Sequence, residues 1–158
     1  MNDGLPVSKF VSLYIQSQQP ESLLVLGQHA QSLINSSQDT RLHRLKTPLD
    51  QNDLNRIGNI ELAIISDLDV NIDKQAAIEL LSTIRNRHAK CILLITNKSD
   101  SINNDWQITD YLAMGFKTIA SNDTFQIYSY NIHNYQQKRD WLNSLFWANP
   151  EYFNKFRW

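Results

Sequence analysis

Two carboxylates, Asp67 and Asp69, close the apolar run ELAIISDLD at residues 61–69. Another apolar run, SLLVLG at 22–27, ends on Gly27 and passes into Gln28 and His29. A strand that ends on glycine and turns into a helix can bring bare backbone N–H groups against a phosphate or an adenosyl group. A carboxylate at the end of a neighbouring strand can reach the same ligand, because open α/β sheets bind ligands outside the carboxyl ends of their strands. The plainer reading of Asp67 and Asp69 is a solvated loop and helix N-cap, and it is the more common one. Thr96, Asn97 and Lys98 follow the run CILLIT at the equivalent strand end. They could bind a polar ligand and are also ordinary turn residues.

Other chemistries find no support. The four histidines, His29, His43, His88 and His133, show no i, i+4 pairing and no cluster with cysteine or carboxylate, so no metal site is expected. His29 alone falls in the glycine turn, and surface placement or packing against the N-terminal helix accounts for it. Cys91 opens a buried run and is expected to be an inert core thiol. There is no P-loop, no G-x-S-x-G and no Ser-His-Asp pattern.

Composition narrows the class. The 158 residues are 42% hydrophobic and 20% charged, with four glycines and four prolines, which excludes disorder and low complexity. A net charge of −1 gives no field to recruit nucleic acid or anionic membrane. The basic stretches RLHRLK and RNRHAK are too small for a nucleic-acid footprint. A single cysteine excludes an internal disulfide framework and fits a reducing compartment. The start, MNDGLPVSKF, does not read as a signal peptide, and no run approaches the ~20 apolar residues of a membrane span. A cytoplasmic protein without membrane contact is expected.

The elements that must position these residues follow from periodicity. A helix is predicted over 6–18, with Val7, Phe10, Val11, Tyr14 and Ile15 on one face. Buried strands are predicted at 22–27, 61–69 and 91–96, each an unbroken apolar run. A thinner strand falls at 41–46, with short helices at 28–36 and 50–57. The clearest helix is 73–87, with Ala76, Ala77, Leu80, Leu81 and Ile84 as its stripe. A helix at 105–114 leads to a hairpin of 116–121 and 125–132, in which the second strand carries apolar residues on both faces. A last helix covers 136–147. Strands alternating with helices predict a mostly parallel sheet with helices on both faces and a C-terminal antiparallel hairpin. One domain, 1–158, is expected.

This layout resembles the Rossmann-like, S-adenosylmethionine-dependent methyltransferases. ELAIISDLDVNIDKQAAIELLSTIRNRHAKCILLIT is similar to their strand, acidic loop, helix and next strand, and WQITDYLAMGFKTIAS to their last helix and the following strand. The ending DWLNSLFWANPEYFNKFRW resembles that of a family of small uncharacterised bacterial proteins, in which a methyltransferase-like region precedes a tail with W-x-N-P and R-W. That resemblance implies a three-layer fold and no established activity. It also implies that the second hairpin strand lies between the 91–96 and 116–121 strands.

The departures from the methyltransferase pattern carry meaning. The cofactor loop of those enzymes reads acidic-x-Gly-x-Gly-x-Gly. With Gly27 as the first glycine, Val25 takes the acidic place and His29 and Gln31 take the other glycine places. The second strand ends in Lys46 and Thr47 where the resemblance implies a ribose-binding acid. One strand–helix unit is missing between 47 and 60. NPEY at 149–152 resembles the Asn-Pro-Pro-Tyr motif of amino-directed methyltransferases, but it follows a helix and reads as a helix stop. The first expectation is therefore a scaffold without the usual cofactor, acting as a non-catalytic binding or interaction protein. The alternative is an atypical methyltransferase that holds S-adenosylmethionine with Gly27, Gln28 and Asp67. A weaker alternative is a nucleic-acid-associated module, with bases stacked on aromatics. The tail at 146–158 has six aromatics in thirteen residues. Most of its rings are expected to pack on the domain, leaving Arg157 and Trp158 to contact a protein partner.

Overall fold

The computed structural model describes residues 6–34, 41–45 and 51–135. Helix α1, Val7–Gln18, follows Pro6 and ends at Gln19, whose left-handed backbone (φ 44) stops it. Its stripe is the predicted one: Val11 is fully buried, with Val7, Phe10, Tyr14 and Ile15 packed beside it. Strand β1, Ser22–Leu26, then enters the interior. After it come α2 (Gln28–Leu33) and strand β2 (Arg41–Leu45), followed by α3 (Gln51–Ile57) and strand β3 (Ile60–Ser66). The short α4 (Leu68–Asn71) leads to α5 (Lys74–Thr83), which runs on as a π-helical turn at Ile84–His88. Strand β4 (Ala89–Asn97), helices α6 (Lys98–Asn103) and α7 (Ile108–Ala113), strands β5 (Lys117–Ser121) and β6 (Phe125–Asn131) and helix α8 (Ile132–Tyr135) complete the order.

The six strands form one sheet in the order β2-β1-β3-β4-β6-β5. The first four are parallel, and β6 runs antiparallel to both β4 and β5. Strand β6 is thus interior, as its two apolar faces require. Ile127 joins the cluster under α1 and α2, while Tyr128 and Tyr130 join the opposite cluster with α3, α5 and α7. Burial on both faces explains why β1, β3 and β4 read as unbroken apolar runs. The result is a three-layer α/β fold.

Several elements depart from expectation. Strand β3 ends at Ser66 rather than continuing to residue 69, because Asp67 takes a left-handed conformation (φ 59) and turns the chain into α4. Asp is one of the few non-glycine residues that tolerates this region. Helix α6 forms where ordinary turn residues were expected, because the Asn97 side chain caps it by accepting from the Ser99 amide. The helix expected over 105–114 shrinks to α7, since Asp105 is left-handed (φ 58). Ala76 is exposed and leaves the stripe of α5. Ile132 belongs to α8 and is half exposed, not a strand residue. Among the described residues between 47 and 60 there is α3 and no strand, as the departure from the enzyme pattern implied. The predicted helix 136–147 and the tail 146–158, with Arg157 and Trp158, lie outside the described residues. No helix among the described residues is long and apolar enough to cross a membrane.

A polar tie joins α5 to α7. The Lys74 ammonium lies 2.8 Å from the Asp110 carboxylate and also donates to the Asp105 carbonyl. Asp110 accepts from the Gln107 amide, closing a capping box. The Lys74 hydrogen bond, then the Gln107 amide, hold the Asp110 carboxyl below its ordinary value of 3.8. A depressed folded-state value stabilises the fold fully above that ordinary value and loses its contribution as pH falls through the folded value. Asp110→Asn should therefore lower the urea midpoint near neutral pH, with the gap to the parent closing in acid. A gap that stays constant down to about pH 2 would contradict this role.

Candidate functional site

The carboxyl edge of β1, β3 and β4 is where a ligand would sit on this fold. Gly27, between β1 and α2, has φ +99, a conformation that L side chains rarely adopt. A Cβ there would stand 2.2 Å from the Ser66 carbonyl oxygen and 2.5 Å from the Ser66 hydroxyl. The glycine is needed because β3, not a ligand, occupies the space beside it.

Two amides in the first turn of α2 bond to the same neighbour. The His29 amide donates to Asp67 Oδ2 at 2.8 Å, and the Ala30 amide donates to Ser66 Oγ at 2.8 Å. The Ser66 hydroxyl in turn donates to Asp67 Oδ2 at 2.9 Å. Ala30 and Ser66 are buried, so the exchange of hydrogen bonds is internal to the fold. A buried amide left without an acceptor costs about 1–3 kcal/mol, which is why a hydroxyl there is required. The left-handed turn at Asp67 is what aims its carboxylate back at α2.

Side chains close the edge further. The His29 ring stacks on Phe125 at 4.9 Å with an interplanar angle of 8°. The Gln31 amide side chain donates to the Leu45 carbonyl, tying α2 to β2. The Lys98 amide donates to the Thr124 carbonyl and its ammonium to the Asn122 carbonyl, binding the hairpin turn to the end of β4. Thr96 Oγ1 donates to the Gln126 carbonyl. Helices α4 and α6 pack on each other after the ends of β3 and β4.

Of the residues singled out in the sequence, Gly27, His29, Asp67, Thr96, Asn97 and Lys98 therefore meet at one edge. Gln28 lies there too, exposed at the first turn of α2. Asp69 falls in α4, and its side chain is outside the described residues. His43 and His88 stand elsewhere, on edge strand β2 and beside the Gly58 carbonyl. Among the described residues no group of three His, Cys, Asp or Glu side chains could hold a metal. Cys91 is buried in β4, and its thiol is pushed up by burial and then by Glu61. Sequence reasoning missed Ser66 and Phe125. The available signal for Ser66 was a hydroxyl ending an apolar run directly before Asp67.

The sequence signature of a family of unknown function (DUF6231) matches residues 6–158. The chain belongs to that family. No curated protein matches it. Among solved structures, the DUF6231 chain is similar to the methyltransferase domain of bacterial-CtHen1-C, with a TM-score of 0.52 and 9% identity over 79% of this chain and 96% of that one. The methyltransferase domain of bacterial-CtHen1-CN aligns at 11% identity over 78% of this chain and 96% of that one, with a TM-score of 0.47. At such identity the likeness to bacterial-CtHen1-C is one of fold. The DUF6231 chain is therefore an α/β protein with a methyltransferase-like sheet.

Proposed function

We propose that this protein is a non-catalytic binding or interaction protein built on a methyltransferase-like sheet. The observation that carries the reading is the Ser66–Asp67 pair, which fills the flank of Gly27 and takes the His29 and Ala30 amides. The residues do not fit the adenosyl cofactor that this fold implies. The bare side of Gly27 faces Ser66 of β3, the His29 and Ala30 amides of α2 already have acceptors, and His29 and Gln31 replace the later glycines. The protein acts instead through its surface, with Arg157 and Trp158 contacting a protein partner. Aromatic and arginine side chains dominate binding hot spots, which supports that assignment.

A thermal shift experiment tests the cofactor half of this reading. A ligand at a hundredfold its Kd adds about 2.7 kcal/mol to stability. For a chain of this length that raises Tm by about 5–10 °C. Millimolar S-adenosylmethionine is expected to leave Tm unchanged. A rise of that size would favour the atypical methyltransferase, with Gly27, Gln28 and Asp67 as its contacts.

A further inference from the structure

We propose that two copies of this chain pair through the outer face of α7, with the two α7 helices antiparallel across a two-fold axis. Large apolar side chains left exposed among the described residues are not spread evenly. Val70 of α4, Ile102 of α6, and Ile108 and Leu112 of α7 lie on the helices that follow β3 and β4. Leu13, Ile119 and Ile132 stand singly on α1, β5 and α8. Ile108 and Leu112 are four residues apart, so they share one face of α7. On the inner face Tyr111 stacks on Tyr128 of β6 at 4.2 Å, which anchors the helix to the sheet. The outer face is thus held in place and left bare, and grouped apolar surface of this kind marks an interaction site.

The occupant follows from the charges around that face. Helices α5 and α7 lie side by side and parallel. Lys74, at the start of α5, meets Asp110 and the Asp105 carbonyl near the start of α7. Arg85, just past the end of α5, donates to the Met114 carbonyl just past the end of α7. Lys74 and Asp110 offset each other, which leaves Asp73 and Asp105 to make the starting end acidic. Arg85, Arg87 and Lys90 make the other end basic. A surface acidic at one end and basic at the other is complementary to itself when turned end for end. A two-fold axis does this, because residue i then meets j and j meets i. An axis crossing α7 midway between Ile108 and Leu112 brings the apolar side chains of both copies together and sets each acidic end against a basic one. An axis along α7 would oppose like ends. A uniformly basic helix from another protein would meet Arg85, Arg87 and Lys90 at the far end. Glu79, exposed midway along α5, comes nearest its own copy in the antiparallel arrangement and is the charge that opposes it. A net charge of −1 per chain adds little further repulsion. The pairing is independent of whether any cofactor binds and of the role given to Arg157 and Trp158.

Sedimentation of the full-length protein tests it. The mass should climb from the 18.4 kDa of one chain toward twice that value as concentration rises. Leu112→Glu should weaken the association by about 100-fold, because each interface would bury two unpaired charges. Glu79→Gln should tighten it by about 2–5-fold, the size of a surface charge contact. Leu13→Glu, a matching change on exposed α1, should leave it unaltered. All three positions are exposed, and circular dichroism checks that the variants stay folded. A spin label fixes the orientation. Chains carrying it at Arg87→Cys, in a Cys91→Ala background, are mixed with isotope-labelled parent chains. The label should broaden the partner copy's Gln75 and Asp105 amides and leave its Asn86 amide sharp. A single-chain mass at protein concentrations near ~1 mM, the range of very weak pairing, would overturn the proposal. So would a dimer that Leu112→Glu leaves intact or Glu79→Gln weakens, or broadening centred on Asn86 or on α1. These outcomes are separate from the thermal shift result with S-adenosylmethionine.

Discussion

Gly27→Ala is expected to lower the unfolding free energy by about 2–6 kcal/mol, the sum of a strained backbone conformation and an overpacked contact. Both parts come from one place. At φ +99 an L side chain is strained in any surroundings. The added Cβ would also meet the Ser66 carbonyl oxygen, hydroxyl and carbonyl carbon, all within 2.8 Å. Two of these are backbone atoms of a central strand, so no rotamer change relieves the clash. β3 is hydrogen-bonded to β1 and β4 on its two sides and cannot shift alone. A domain has only about 5–15 kcal/mol of stability, so the variant should populate unfolded chain or fail to accumulate. Urea denaturation followed by circular dichroism measures it. An alanine variant within 0.5 kcal/mol of the parent, by the usual linear extrapolation, would show that the space beside Gly27 is open, as a working ligand loop requires.

Ser66→Ala should cost about 1–3 kcal/mol, the penalty of leaving a buried donor unmade. The Ala30 amide would lose its acceptor, and Asp67 Oδ2 would lose one of its donors. Removing the oxygen creates little cavity, so the loss comes mainly from hydrogen bonding. Hydrogen exchange separates this from general loosening. The Ala30 amide should exchange much faster in the variant than in the parent, while amides of β4 such as Leu93 keep their ranking. Unchanged protection at Ala30 would mean that the hydroxyl is not what satisfies the start of α2.

The sheet was legible because its strands are buried on both faces. SLLVL, IELAIIS and AKCILLITN have no polar side to alternate, and only an interior position in an α/β fold accommodates that pattern. The two faces of FQIYSYN placed β6 inside the sheet for the same reason. The junctions were harder to read. The left-handed turns at Asp67 and Asp105 cut the expected strand and helix short, and a single residue's backbone choice leaves no periodic trace. Asn97 was legible as a turn residue or a polar-ligand contact, although as an N-cap it starts α6. The candidate site was half legible. Gly27 and Asp67 could be picked out from their positions at strand ends. Their relation to each other depends on Ser66, and a hydrogen bond between residues 36 positions apart in the chain has no local sequence signal.

The reading of the edge as self-occupied is tested most directly by calorimetric titration of the purified full-length protein with S-adenosylmethionine. With Asp67 Oδ2 and Ser66 Oγ already holding the His29 and Ala30 amides of α2, no heat of binding is predicted at protein and ligand concentrations that would reveal a micromolar site. A saturable isotherm of micromolar affinity that is lost in Asp67→Ala would contradict it and establish the edge as a working cofactor site.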